Sequence, residues 1–430
     1  MSLPPTLTIE HNARRRIAIR LLPFLWLLYV VAFLDRVNVA YAALEMSHDL
    51  RFSDQVFGLG AGIFFIGYVL LEIPGALIVE RWGARRWITR IMITWGIITV
   101  FVGFVHTPRQ FYIVRFLLGA AEAGFFPGII VYLTHWFSGR DLAKAVASFM
   151  AAQPLSNFVG SPLAGRILRI HWYGLEGWRW LFILEGIPAV ILGVITFFYL
   201  TDRPSQAHWL PQNEREWITR ELNSERERRA AMGSYSIRQA LLQRRVVLLT
   251  LIYFLGSTGV YGFTIWFPTI LKRASGLATG TITLLVAIPY LAALTAILLV
   301  SWHSDRVQER RWHAAGPLFI GAAALFLAIG SSSHLWTQLG FFSIFAACIY
   351  GYQPSFWSLP TITLGEYAAA ASIGLINAIG NLGGFVGPFM LGYLVTRTGS
   401  FTSGLAMLLA SLVLAGILVL RVRGFRLPST

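Results

Sequence analysis

The chain of 430 residues has one cysteine, Cys348, so no intramolecular disulfide and no cysteine-based metal cluster can form. Lysine is nearly missing, with only Lys144 and Lys272 present. Charged residues reach 13%, about half the share usual in soluble domains. HExxH, GxSxG and a phosphate loop following a strand are all lacking, which removes metalloenzyme, hydrolase and nucleotide-binding readings. The nine histidines fall at the ends of apolar runs or between them. No enzyme activity, cofactor or metal site is expected. Met1 to Arg20 lacks an apolar core followed by a small-residue cleavage site, so it reads as a cytoplasmic tail and not a signal peptide.

What is abundant is apolar: 56% of the residues are hydrophobic and 14% aromatic. A membrane helix needs about 20 apolar residues, so this length accommodates twelve spans with short loops. The net charge of +15 would suggest nucleic acid in a soluble chain. Here the arginines sit at the ends of apolar runs, so lipid is the expected partner and nucleic acid is not.

The runs fall near 21–44, 55–79, 87–105, 110–137, 142–168 and 178–200, then near 246–271, 279–302, 314–333, 336–362, 367–396 and 401–420. The expected fold is an all-α polytopic membrane protein with twelve transmembrane helices in two pseudo-symmetric six-helix bundles. The domains are a tail at 1–20, a first bundle at 21–200, a polar connector at 201–245, a second bundle at 246–420 and a tail at 421–430. Of the 35 basic residues, 25 lie on the side of the two tails, 8 on the other side, and Arg36 and Arg115 within spans. The positive-inside rule then places both termini in the cytoplasm.

Two landmarks recur. Glu80-Arg81-Trp82-Gly83-Ala84-Arg85-Arg86 follows span two, and Asp305-Arg306 with Arg310-Arg311 follows span eight, an offset of 225. Phe158-Val159-Gly160 in span five matches Phe385-Val386-Gly387 in span eleven, an offset of 227. An offset of six helices relates the halves by an axis along the membrane normal, with a cavity expected between them.

Each intramembrane charge costs about 2.5 to 3.5 kcal/mol and so demands a partner, water or a role. The second bundle has no acid or base away from its span ends. The first holds Asp35 and Arg36 in span one, Glu72 in span two, Arg115 and Glu122 in span four, and Glu185 in span six. Arg115 and Glu122 are two turns apart on one face, whereas Asp35 and Arg36 point about 100° apart. An arginine grips a carboxylate in a fork and stays charged at any relevant pH, so Arg36 and Arg115 suit an anionic substrate. Substrate that competes for them would favour protonated Asp35 and Glu122, which couples anion to proton. The alternative is that these acids pair with the arginines only to hold spans one and four together. Glu72 and Glu185 read as structural. Tyr68, Gln153, Tyr261, Trp357, Ser358 and Asn377 are candidate cavity positions, those of the second bundle forming a neutral wall.

Across essentially its whole length the chain resembles the major facilitator superfamily. The Glu80–Arg86 loop is similar to its signature between helices two and three, with Glu in place of the commoner Asp and Ala76 where Gly is usual. The resemblance implies a gating role for Glu80, Arg81, Arg85, Arg86, Asp305 and Arg306. Phe33-Leu34-Asp35-Arg36-Val37-Asn38-Val39-Ala40 and Arg115-Phe116-Leu117-Leu118-Gly119-Ala120-Ala121-Glu122-Ala123 resemble the anion:cation symporter family, and the stretch from Phe64 to Trp87 is nearest to tartrate and phthalate carriers. That resemblance implies Arg36 and Arg115 for substrate, Asp35 and Glu122 for protons, and Tyr68, Gln153, Ser358 and Asn377 in the cavity. It implies a monomer in the bacterial inner membrane importing a small organic anion with protons, the anion being a dicarboxylate, hydroxy acid or aromatic acid. A facilitator or exchanger without proton coupling is the alternative.

Overall fold

The computed structural model describes residues 5–231, 243–331 and 334–422. Apolar sequence without β-punctuation folds into helices throughout, since in lipid a helix satisfies its own backbone. They are α1 (Pro5–Asp49), α2 (Asp54–Trp82), α3 (Ala84–Val102), α4 (Pro108–Glu122), α5 (Phe125–Thr134), α6 (Gly139–Met150), α7 (Ala152–Ile167) and α8 (Gly177–Tyr199). The connector contributes α9 (Gln212–Ala231). Then come α10 (Arg244–Ser275), α11 (Thr279–Val307), α12 (Arg311–Gly330), α13 (Leu335–Gly380), α14 (Gly383–Thr398) and α15 (Phe401–Arg421).

Ten stretches among the described residues are long and apolar enough to cross a membrane, α4 and α5 counting as one and α13 dividing between Leu335–Leu364 and Ser372–Thr398. The helix α3 and the broken pair α6–α7 occupy the remaining two predicted spans. Large apolar side chains such as Phe198, Leu284, Leu298 and Phe326 are exposed on the outside of the bundle, as a lipid-facing surface requires. The chain is an integral membrane protein.

Boundaries differ from the sequence expectation in two places. The first helix starts at Pro5 and not near 21, and its basic first turns dock on the connector, where Arg16 pairs with the buried Glu214 at 3.4 Å. The helical backbone does not stop between spans ten and eleven; the break falls at Asn381 and Leu382, inside span eleven.

In the first half α3 packs on α8, α2 on α4, and α1 on α7 and α8. In the second, α13 packs on α10, α11 and α12, and α15 on α10 and α12. The halves meet through α2 on α14, α7 on α11, and α1 on α10. The offset of 225 to 227 exchanges the first two of these contacts and maps the third onto itself, so the packing carries the pseudo-twofold read from the repeat.

These contacts gather at the end of the bundle away from the termini, here called the distal end. A Cβ on Gly58 would stand 2.6 Å from the Pro388 carbonyl oxygen, and one on Gly392 would stand 2.4 Å from that of Asp54. Small residues let the backbones touch there. Arg273 Nη1 donates to Asp54 Oδ2 at 2.9 Å, Lys272 Nζ to the Leu44 carbonyl at 2.7 Å, and the Gln55 N–H to Thr396 Oγ1 at 3.0 Å, all across the halves.

Candidate functional site

The mid-level of the bundle is set by helix register. Arg36 lies thirteen residues from the Asp49 end of α1, and Tyr68, Glu122, Gln153 and Tyr261 each lie fourteen from the distal ends of α2, α4, α7 and α10. At about 1.5 Å of rise per residue all five stand roughly 20 Å below the distal surface.

Arg36 is the hub. Its Nη2 pairs with Glu122 Oε1 in an ion pair, and its Nη1 donates to the Tyr261 hydroxyl at 3.3 Å. Residues 36 and 261 are 225 apart, the offset of the repeat, so the arginine meets its own counterpart where the axis passes. The guanidinium also lies over Phe33 and Tyr68, each at 5.0 Å from the ring centroid. Cation–π contacts of this kind are strongest when desolvated. The Arg36 side chain keeps 12% exposure while that of Glu122 has 1%. Gln153, Trp357, Ser358 and Asn377 are half-buried on the surrounding helices.

Other predicted residues are placed differently. Asp35 is 1% exposed and points away from Arg36, as their 100° separation demands. Trp95 Nε1 donates to its Oδ2 and Asn38 Nδ2 to its Oδ1 at 3.3 Å; no arginine pairs with it among the described residues. Arg115 is fully buried about 10 Å nearer the distal end. Its Nε and Nη2 donate to the Gly60 and Ala61 carbonyls, each at 3.4 Å, its guanidinium lies 4.9 Å from the centroid of Phe64, and Nη1 has no protein partner. The structure thus brings Arg36 and Glu122 together, and leaves Asp35 and Arg115 outside that pair. Among the described residues Arg36–Glu122 is the ion pair that joins spans one and four.

The second half supplies uncharged groups. Tyr261 touches Arg36, while Trp357 packs on Tyr253 at 4.8 Å between ring centroids. The Ser358 hydroxyl turns back to the Pro354 carbonyl at 3.1 Å. Asn377 Nδ2 donates across the halves to Glu72 Oε1. Glu72 lies one turn beyond Tyr68 on the same face of α2. Trp95, the partner of Asp35, carried no signal, since a tryptophan in an apolar run reads as packing.

Among the gating candidates the Glu80 side chain lies outside the described residues. The turn that follows it depends on Gly83, whose φ of 84° suits glycine and whose Cβ would stand 3.0 Å from the Asp202 carboxylate. Asp202 accepts the Arg85 N–H at 2.8 Å, which pins the turn to the connector. Arg85 lies over Phe197 at 5.0 Å, Asp305 pairs with Arg310 at 2.6 Å, and Arg306 lies over Trp302 at 5.5 Å. Each contact stays within its own half or the adjoining connector. The described hydrogen bonds between the halves all lie distal to these residues.

The chain matches the sequence model of the Major Facilitator Superfamily over residues 25–388. It is 48% identical over 415 residues to a protein of Agrobacterium vitis provisionally named a tartrate transporter, covering 96% of this chain and 95% of that one. It is 40% identical to NicT of Pseudomonas putida, provisionally named a metabolite transport protein, covering 96% and 95%. In fold it is similar to the crystal structure of a D-xylose-proton symporter, with a TM-score of 0.75 and 14% identity over 94% of this chain and 97% of that one. The resemblance seen in the loop signature and in spans one and four is borne out, and this chain belongs to the Major Facilitator Superfamily as a membrane transporter rather than an enzyme.

Proposed function

We propose that the protein imports a small organic carboxylate together with protons by rocking its two halves about the axis through Arg36 and Tyr261. The observation that carries this reading is the Arg36–Glu122 pair at mid-level, bound on one side to the first half and on the other to Tyr261 of the second. A substrate carboxylate presents the same oxygens as Glu122 and competes for the same guanidinium. Released from Arg36 in a site with 1% exposure, the Glu122 carboxylate loses its counter-ion, and a proton neutralises it at lower cost than leaving it charged. Anion and proton then bind together by linkage, each raising the affinity for the other. Asp35 is the second proton site, and Arg115 holds the positive field of the first half; Tyr68, Gln153, Trp357, Ser358 and Asn377 line the path.

By the charge count the ends near the termini are cytoplasmic. With the halves joined distally and, among the described residues, no gating arginine paired across them, this is the inward-facing member of the transport cycle. The name of the tartrate transporter agrees with a carboxylate as cargo.

The test is uptake of labelled carboxylates into proteoliposomes with and without an inward proton gradient. Gradient-driven accumulation that Arg36→Ala abolishes supports the reading. Flux that equilibrates and ignores the gradient assigns a facilitator or exchanger instead.

A further inference from the structure

One acid of the first half has no part in the scheme above. Glu185 of α8 is buried, and no lysine or arginine pairs with it among the described residues. Its polar neighbours are on α1. The Asn38 amide donates to it, and Asp35 acts on it through space. Asn38 Nδ2 also donates to Asp35 Oδ1 at 3.3 Å, so one amide stands between two carboxyl groups. The Tyr41 hydroxyl stands in the field of the same glutamate and of Tyr350 in the opposite half, and donates to Asn157 Oδ1 at 3.5 Å. Tyr290 of α11 stands in the field of both Tyr41 and Tyr350.

Helix register grades these groups in depth. Tyr41 and Glu185 each lie eight residues from the distal ends of α1 and α8, Asn38 lies eleven and Asp35 fourteen. At about 1.5 Å of rise per residue they descend from roughly 12 Å to roughly 21 Å below the distal surface. Asp35, Asn38 and Tyr41 follow one another at intervals of three, along one face of α1. That face is not the one that carries Arg36. Asp35 has 1% exposure, with Trp95 and Asn38 on its two oxygens, so the space around Arg36 does not reach it. Its proton needs a separate way in, and the polar groups adjoining it lead upward to Glu185 and Tyr41. The charged groups that act on Asp35 are Glu122 and Arg115 of α4, and the one that acts on Glu185 is Asp35. Two carboxyl groups joined by an amide, with no base between them, share protons rather than ionise together.

We infer that Glu185 is the group through which Asp35 is loaded with its proton from the distal side. Opening of the distal seam parts Tyr41 from Tyr350 and admits water to Glu185, which passes its proton to Asp35 while Asn38 donates to whichever carboxylate is ionised. The O–H bond of Glu185 breaks as that of Asp35 forms, and a hydronium ion arriving at Tyr41 restores the first and leaves as water. With the seam shut, as in this structure, Tyr41 is buried and the way back to the distal side is closed. The inference rests on the proposed function, in that Asp35 is its second proton site.

The experiment follows labelled succinate, malate and phthalate into proteoliposomes holding the full chain, with the inside at pH 8 and the outside at pH 7 or pH 5. A loading group sets the speed of proton entry and not its balance. For whichever probe the native protein accumulates, Glu185→Gln should lower the initial gradient-driven rate at least tenfold at outer pH 7, yet reach the native final level. At outer pH 5 the deficit should shrink to threefold or less, because hydronium is then more abundant. Exchange at equal pH should persist, and Glu185→Asp should restore at least a third of the native rate. Should the glutamine variant fail to fold, Tyr41→Phe, which removes the hydroxyl between Glu185 and the seam, should slow loading at least threefold with the same final level. A native rate in the folded variants overturns the inference. So does a lower final level, which would make Glu185 a coupling site, or an equal loss of exchange, which would make it structural. If the native protein accumulates none of the probes against the gradient, the proposed function fails and the loading role falls with it; native accumulation with unslowed variants refutes the loading role alone.

Discussion

Replacing Glu122 by glutamine should tighten substrate binding at neutral and alkaline pH. In the native chain the ionised carboxylate occupies Arg36, and a substrate must displace it. A hydrogen bond to a charged group contributes about 1.5 to 3 kcal/mol, and every 1.4 kcal/mol is tenfold in affinity. Glutamine offers Arg36 a neutral oxygen of the same reach, so most of that competition disappears. The expected gain is roughly 10- to 150-fold at pH 8. The sign of the pH effect follows from the same exchange. Protons free Arg36 in the native protein, so its affinity should rise as pH falls, whereas the variant should bind at pH 8 about as tightly as the native protein does in acid. Titration calorimetry at pH 6 and pH 8 measures both, using the carboxylate that stabilises the purified protein most in a thermal-shift screen. In proteoliposomes the variant should keep exchange and lose gradient-driven accumulation. Equal or weaker binding of the variant at pH 8 would refute the competition on which the coupling scheme rests.

Two further changes probe the frame around this pair. Arg115→Met keeps the volume beside Phe64 but removes the charged hydrogen bonds that the guanidinium adds to the Gly60 and Ala61 carbonyls, at a cost of about 1.5 to 3 kcal/mol. It should lower the melting temperature and abolish both uptake and exchange; native uptake in the folded variant would show that the buried charge is not needed. Gly58→Val drives a side chain into the Pro388 carbonyl at the distal seam, where overpacking costs about 1 to 3 kcal/mol. A single cysteine at Gln55, introduced after Cys348 is replaced, should label faster in the Gly58→Val background, and an unchanged rate would show that this seam does not hold the distal end shut.

The fold was largely legible because its signals are additive over many residues. Span positions follow from runs of about 20 apolar side chains, and the axis follows from one offset found at separate landmarks. The level of the site was legible too, since helix rise converts a residue count into depth. Partnerships within that level were not. Sequence spacing places Arg115 and Glu122 on one face of α4, yet the guanidinium turns to the carbonyls of α2 and the carboxylate to α1. Which neighbour a long side chain reaches depends on helix rotation and on where glycines admit close approach. Gly60 and Gly67 let α2 lie against α4, where a Cβ would fall 2.1 Å from the Phe111 ring and 2.2 Å from the Phe116 carbonyl. Such tertiary placement has no local signature. The same holds for Glu72, whose partner Asn377 is 305 residues away in sequence.

The contact between Arg36 and Tyr261 explains why charge is confined to one half. Positions related by the repeat that also touch each other must lie close to the pseudo-twofold axis, and two arginines there would repel at about 3 Å with no space for separate counter-ions. A tyrosine at the second position resolves the conflict: it accepts from the guanidinium, buries its ring and leaves a single positive centre for both halves to share. That position also moves least when the halves rock, because displacement grows with distance from the pivot. The Gly58 and Gly392 seam lies about 10 to 15 Å away and would have to open by whole side-chain widths, while Arg36 and Tyr261 need only re-aim a hydrogen bond. On the proposed function, a carboxylate held on Arg36 would therefore remain bound while access passes from one face to the other.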